Sequence, residues 1–326
     1  MKKNSPNQSS LSPPLPSATV NPLAQPLTDS STSTHPQPAD GARANFLANI
    51  MASTARPGRK SARAPAHASK KQEAQSGLPP QIRRILETPL EVFQAMKDEQ
   101  APLGTPPLTY VAFVLDRSGS MESGKGDTIE GFNTQANAVK AGATQAGETR
   151  IGMVDFATTP SVRYMGIDTS ALEPLTVENY VPNGYTALYD GVGLVIAELL
   201  AQPHMESPET AVLVTIFTDG EENASTLYSP NVLKELITKL EATERWTFAL
   251  VGPVDGVMNL ADMLAVDRSN TTGFDPSSID ARLGTQAKMV RASTSYMNSR
   301  STGMKSRKGL YTDDGSNDNG SSGNKS

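Results

Sequence analysis

The 326-residue chain contains no cysteine, three histidines and a single tryptophan. Without cysteine, disulfides and thiolate-held metals are excluded, which fits a reducing compartment. Long apolar runs are missing as well. Nothing in the sequence approaches the roughly 18 residues that a membrane-crossing helix requires. Lys2 and Lys3 are followed by a polar, proline-rich stretch from Asn4 to Pro16, so the apolar core of a secretory signal is not expected either. These absences lead to the expectation of a cytoplasmic protein. Apolar residues make up 37% of the chain, low for a sequence packed over its whole length, so part of it is expected to lie outside any core.

What is present is unevenly placed. Sixteen of the 24 prolines precede Leu108, set among Ser, Thr, Asn and Gln. Such a stretch buries too little apolar area to offset its ordering entropy, and residues 1–77 are expected to form a disordered, basic arm. One short apolar turn of helix is expected within it, at 42–52. Residues 1–106 carry 12 Lys and Arg against 7 Asp and Glu, while the rest of the chain carries 17 against 27. A basic arm therefore precedes an acidic part, an arrangement that suits a solubilising tail, self-association or an acidic partner. Between Arg56 and Lys71 six cations occur with no acid and no Phe, Trp or Tyr. The lack of stacking side chains argues against specific nucleic-acid recognition and leaves only loose electrostatic contact.

Residues 78–106 form a linker with one expected helix. Thr88 caps it, Pro89 opens it and Glu91 completes a capping-box pattern. From Leu108 the texture changes. Tyr110–Leu115 is a continuous apolar run, as expected of a strand buried on both faces, and Ala211–Phe217 is expected to be a second such strand. Further strands are expected at Arg150–Phe156, Ser161–Met165 and Trp246–Val251, the first two joined by a short turn. Helices are expected at Asp127–Ala143, Ala187–Ala201, Asn231–Thr243, Met258–Val266 and Ile279–Met297. Strands alternating with helices predict an α/β fold with a doubly wound, mainly parallel sheet covered on both faces. A polar tail is expected to be disordered from Ser299.

Two acids follow the two buried strands. Asp116-Arg-Ser-Gly-Ser120 succeeds the first and Thr218-Asp219-Gly220 the second. In an open α/β sheet, ligands bind at the carboxyl ends of strands. Two unpaired carboxylates there repel each other and raise one pKa, a conflict that a hard divalent cation removes. Ser118 and Ser120 add hydroxyl oxygens of the kind Mg²⁺ prefers, and Gly119 between them permits the backbone turn.

Phe113-Val-Leu-Asp-Arg-Ser-Gly-Ser-Met121 resembles the Asp-x-Ser-x-Ser signature of the von Willebrand factor A family. Asn183-Gly-Tyr-Thr-Ala-Leu188 is similar to its threonine loop, and Ile216-Phe-Thr-Asp-Gly220 to its later aspartate motif. The resemblance covers residues 107–298 and is nearest to intracellular bacterial and phage-type members. It implies a metal-ion-dependent adhesion site made by Asp116, Ser118, Ser120, Thr186 and Asp219, holding Mg²⁺, with Mn²⁺ or Ca²⁺ as alternatives. It also implies a partner protein that supplies an Asp or Glu side chain as the last ligand, such as an AAA+ ATPase or a phage or bacterial assembly component. Tyr185 departs from the Gly or Ser common before the threonine and is expected at the rim.

Other readings of the same residues are weaker. Ser-Gly-Ser and Asp219-Gly220 are also ordinary turn sequences. An EF-hand loop starting at Asp116 would place Met121 where Gly is needed and Asp127 where Glu is needed. A haloacid-dehalogenase phosphatase wants a second Asp where Ser118 stands. A serine hydrolase lacks Gly-x-Ser-x-Gly, and two of the histidines, His35 and His67, fall in the arm. No nucleophile or base is placed for catalysis, and the protein is not expected to be an enzyme. The rival function is a structural or assembly component that acts through the arm and the helix after Thr88, with the metal site vestigial or purely stabilising. Asp190 is expected to suit a helix dipole, Glu221 and Glu222 to solvate the rim, and Asp155 to cap a turn.

Overall fold

A computed structural model describes residues 76–274 and 278–312 of the chain. The expectations for the arm up to residue 75 and for 313–326 lie outside the described residues. The strands are β1 (Leu108–Asp116), β2 (Glu148–Phe156), β3 (Pro160–Asp168), β4 (Thr210–Phe217), β5 (Trp246–Pro253) and β6 (Thr271–Phe274). The helices are α1 (Pro80–Glu87), α2 (Leu90–Met96), α3 (Lys125–Gly142), α4 (Leu188–Leu200), α5 (Pro230–Glu241), α6 (Val254–Leu264) and α7 (Ile279–Arg300).

All six strands form one sheet in the order β3-β2-β1-β4-β5-β6. Every pairing is parallel except β2 with β3. The exception follows from chain length: residues 157–159 suffice for a hairpin, whereas a parallel crossover needs a dozen residues or more. The expected doubly wound α/β fold is thus present. Its central strand explains the unbroken apolar run at the sequence level. Tyr110, Ala112 and Val114 pack on one face of β1 with residues of α1, α2, α4, α5 and α6. Val111, Phe113 and Leu115 pack on the other face with α3 and α7. There Phe132 of α3 stands edge-on to Phe113, ring centroids 5.0 Å apart. A Cβ on Gly142 would lie 2.5 Å from Met297 Cβ, so α3 and α7 approach as closely as a glycine permits.

Three expectations need correction. The segment before the sheet is two helices, and Thr88 ends the first instead of capping the second. Proline disfavours helical geometry in the residue before it, and Thr88 is accordingly extended, at φ −81° and ψ 130°. Its hydroxyl donates back to the Arg84 carbonyl at 2.8 Å, and α2 has no side-chain cap. Both helices belong to the body: Ile82, Ile85, Leu86, Phe93 and Met96 are buried in its core. The rival reading that leaves a helix here for a partner therefore loses that helix. Second, order does not stop at Ser299. Leu310 and Tyr311 are buried, Arg307 N–H donates to Thr247 Oγ1 at 2.9 Å, and Tyr311 N–H donates to the Ser269 carbonyl at 3.0 Å. Third, β6 was not anticipated, because four residues are too few to show a period. Among the described residues, no helix is long and apolar enough to cross a membrane.

Candidate metal site

Parallel register brings the two acids together. Leu115 pairs with Phe217, so Asp116 and Thr218 emerge side by side where β1 and β4 end. Thr218 Oγ1 donates to Asp116 Oδ2 at 2.8 Å, and Ser118 N–H donates to Asp116 Oδ1 at 2.8 Å. Asp116 is completely buried. Burial pushes its carboxyl up to about 6, the hydrogen bonds from Ser118 and Thr218 oppose that rise, and the charge of Asp219 adds to it. The site thus holds a buried carboxylate under electrostatic stress.

The Asp116–Ser120 loop turns through a short 3-10 segment at Gly119–Glu122. Ser118 Oγ and Ser120 Oγ lie 3.0 Å apart, so both hydroxyls share one side of it. Gly119 is needed for space. It has no positive φ, but its N–H donates to the Gly184 carbonyl at 3.0 Å, and a Cβ would press on that oxygen at 3.3 Å.

The loop carrying Thr186 is pinned from every side. Asn183 N–H donates to the Arg117 carbonyl at 2.8 Å, Tyr185 N–H to Thr158 Oγ1 at 3.0 Å, and Ala187 N–H to the Ala157 carbonyl at 2.8 Å. Thr186 N–H donates to Asn223 Oδ1 at 2.8 Å. Gly184 sits at φ +83°, where a Cβ would also meet Thr158 Oγ1 at 2.6 Å. Thr186 is buried, and Tyr185 is 67% exposed at the rim.

Asp219 is half-buried, one residue beyond Thr218, and its Oδ1 accepts from Glu221 N–H at 3.1 Å. The path of this loop depends on two glycines. A Cβ at Gly252 would fall 1.9 Å from the Thr218 carbonyl, and one at Gly256 2.0 Å from the Asp219 carbonyl.

Asp116, Ser118, Ser120 and Asp219 thus stand on two loops that meet at one sheet edge, with the Thr186 loop hydrogen-bonded to both. The donor set is two carboxylates and three hydroxyls, all oxygen, as Mg²⁺ prefers. Among the described residues, no group of three or more His, Cys, Asp or Glu is placed to hold a metal; this set reaches five oxygen donors with only two carboxylates.

Several residues around the site were not singled out as supports. Thr218, adjacent to Asp219, holds Asp116. Tyr180, fully buried, donates its hydroxyl to the Asp116 carbonyl at 2.6 Å; it lies in a loop with no motif to mark it. Glu222, expected to solvate the rim, instead accepts from Tyr189 N–H at 3.0 Å and from Ala224 and Ser225 N–H at 3.0 and 2.8 Å. Asp190 accepts from the N–H groups of Thr226, Leu227 and Tyr228 at 2.8–3.0 Å. Asp155 sits inside β2, ion-paired with Arg163 at 2.5 Å and more loosely with Arg117 at 3.7 Å.

No protein-family model and no curated protein matches the chain. Similar solved structures include proximal thread matrix protein 1 from the mussel byssus, at 16% identity and TM-score 0.39, over 60% of this chain and 48% of that one. A von Willebrand factor type A protein from Catenulispora acidiphila matches at 14% identity and TM-score 0.38, over 60% of this chain and 43% of that one. The ArnB paralog VWA2 from Sulfolobus acidocaldarius matches at 16% identity and TM-score 0.34, over 58% and 46%. The chain spans about half the length, or less, of these structures. Likeness at this level adds nothing to the reading of the site, which stands on the geometry above.

Proposed function

We propose that the chain is a divalent-metal-dependent protein-binding module of the von Willebrand factor A type. Asp116, Ser118, Ser120, Thr186 and Asp219 would hold Mg²⁺ or Mn²⁺. The observation that carries the reading is the buried Asp116 carboxylate, raised by burial and by Asp219 beside it, at the edge where two serine hydroxyls also converge. A bound dication would supply the positive charge that both carboxylates lack. The chain's own residues then orient and restrain. Thr218 and the Ser118 N–H aim Asp116, the Gly184 contact fixes the serine loop, and Gly252 and Gly256 set the path of Asp219.

Two carboxylates against a dication leave the centre near neutral, so an Asp or Glu side chain from a partner protein fits as a further ligand. No catalytic group is required for such a grip, and no enzymatic activity is proposed. Titration of EDTA-stripped protein with Mg²⁺ or Mn²⁺ should raise its melting temperature, as expected for a ligand that binds only the folded state. Asp116→Ala should remove that rise. A wild-type melting curve indifferent to both ions would sink the metal assignment.

A further inference from the structure

The position of Thr186 depends on a side chain as well as on backbone. Thr186 N–H donates to Asn223 Oδ1 at 2.8 Å. In return, the N–H groups of Asn223 and Ala224 donate to the Thr186 carbonyl at 2.9 and 3.0 Å. The return bonds use backbone alone, so every residue except proline could supply them at position 223. The bond from Thr186 N–H needs a short side chain ending in an acceptor, which Asn provides and Ala does not. Asn223 is itself exposed, so packing does not account for it.

The surroundings hold Asn223 at this task. Glu222, the preceding residue, is tied to the first turn of α4 through Tyr189 N–H at 3.0 Å. After it, Ser225 Oγ accepts from Asp190 N–H at 3.1 Å. Asp190 then accepts from three successive backbone N–H groups, at Thr226, Leu227 and Tyr228. The loop that leaves Asp219 is therefore fastened to the start of α4 on both sides of Asn223, while Asn223 reaches back to the loop that carries Thr186.

Resting on the metal-site reading above, we propose that Asn223 is a positioning residue. It sets Thr186 for the cation through its side-chain bond to the Thr186 N–H. It acts through Thr186 and is not itself one of the five proposed ligands.

The test measures Mg²⁺ and Mn²⁺ affinity of the EDTA-stripped full chain by calorimetry. Residues that orient metal ligands typically cost about 10–100-fold in affinity when removed, and Asn223→Ala should fall within that range. Asn223→Asp keeps an oxygen that accepts from Thr186 N–H and should retain nearly all of the affinity. In a Thr186→Ala background the hydroxyl being positioned is gone, so adding Asn223→Ala should weaken binding little further. Melting in EDTA separates a merely structural role: such a role lowers the melting temperature equally in both backgrounds and leaves metal affinity alone. Wild-type affinity in Asn223→Ala, or an equal loss in the two backgrounds, overturns the proposal. If the wild-type chain binds neither ion, the metal-site reading itself falls and takes the proposal with it. If the wild type binds and Asn223→Ala is unchanged, only the role of Asn223 falls.

Discussion

At the amino end of the sheet, Arg300 is 2% exposed and each of its three guanidinium nitrogens has an acceptor. Its guanidinium donates to Thr109 Oγ1 at 2.9 Å and to the Met304 and Glu209 carbonyls at 2.8 and 2.9 Å. Arg245 is buried nearby and donates to the Met205 and Ser207 carbonyls at 2.9 and 2.8 Å. Lys239 is also buried and closes the carbonyls at the end of α1, at Ile85 and Leu86. At the carboxyl end, Asp116 is equally buried, accepts from Ser118 N–H and Thr218 Oγ1, and feels the like charge of Asp219. One end sets its buried cations on carbonyl oxygens, with Lys239 also paired to Glu235 at 2.8 Å, and fastens the terminal segments to the sheet. The other keeps charge unneutralised and presents hydroxyls around it. The first arrangement stabilises the fold, and the second is the one proposed above to take a cation.

The largest effect is expected where the amino end is broken. Arg300→Met removes the guanidinium from buried Thr109 Oγ1 and from the part-buried Glu209 and Met304 carbonyls. Charge-assisted hydrogen bonds contribute about 1.5–3 kcal/mol each, so urea unfolding should report a loss of about 3 kcal/mol or more. Metal affinity of the remaining folded protein should not change. A matching loss of affinity would show that the two ends are coupled.

Removing charge at the carboxyl end should act in the opposite direction. In EDTA at pH 8, Asp116→Asn keeps the acceptor for Ser118 or Thr218 and removes the stressed carboxylate. A rise of the carboxyl to about 6 from its ordinary 3.9 corresponds to about 2–3 kcal/mol at about 1.4 kcal/mol per pH unit. Asn should therefore stabilise the metal-free protein by about that order in denaturant unfolding, while abolishing metal binding. A destabilised Asp116→Asn protein would mean that the carboxylate is already neutralised.

The same stress predicts a pH slope. The folded metal-free protein holds a proton on Asp116 that the unfolded chain releases nearer pH 4. Stability is therefore full below about pH 4 and falls as pH rises through about 6. Glu241, pushed up to about 7 by burial, slopes the same way over a slightly higher window. Thermal melts from pH 4 to 8 in EDTA should show a decline in the wild type and a shallower one in Asp116→Asn. Saturating Mg²⁺ should flatten the Asp116 share, because a dication favours the charged form.

The smallest stability effect is expected at Ser120. It is exposed, and such surface changes usually stay within about 0.5 kcal/mol. Ser120→Ala should melt like the wild type in EDTA yet bind Mg²⁺ more weakly, which separates function from stability at a single hydroxyl.

The fold was largely legible because β1 and β4 are mostly apolar on both of their faces, as only a sheet covered on both sides requires. Asp116, Ser118, Ser120 and Asp219 could be named as candidates because each sits in a short motif after a strand, and Thr186 because its motif stands just before α4. The supports were not legible for reasons that differ. Tyr180 and Asn223 act through single hydrogen bonds from loops with no pattern. Gly252 and Gly256 matter because β5 and α6 pass close to the Thr218–Asp219 backbone, a proximity that exists only after folding. Thr88 misled because a capping-box pattern coincided with a proline that ends the preceding helix. The tail beyond Ser299 misled because Leu310 and Tyr311, two buried anchors, are diluted by Gly, Ser and Lys.

The contrast between the two ends rests on the cation proposed for the carboxyl edge. Electron paramagnetic resonance of free Mn²⁺, titrated with EDTA-stripped protein, counts bound ions directly. One Mn²⁺ per chain is predicted, displaced by Mg²⁺ and lost in Asp116→Ala and Asp219→Ala. Free Mn²⁺ undiminished by the wild-type chain, or equal uptake by both variants, would contradict a cation site formed by these residues.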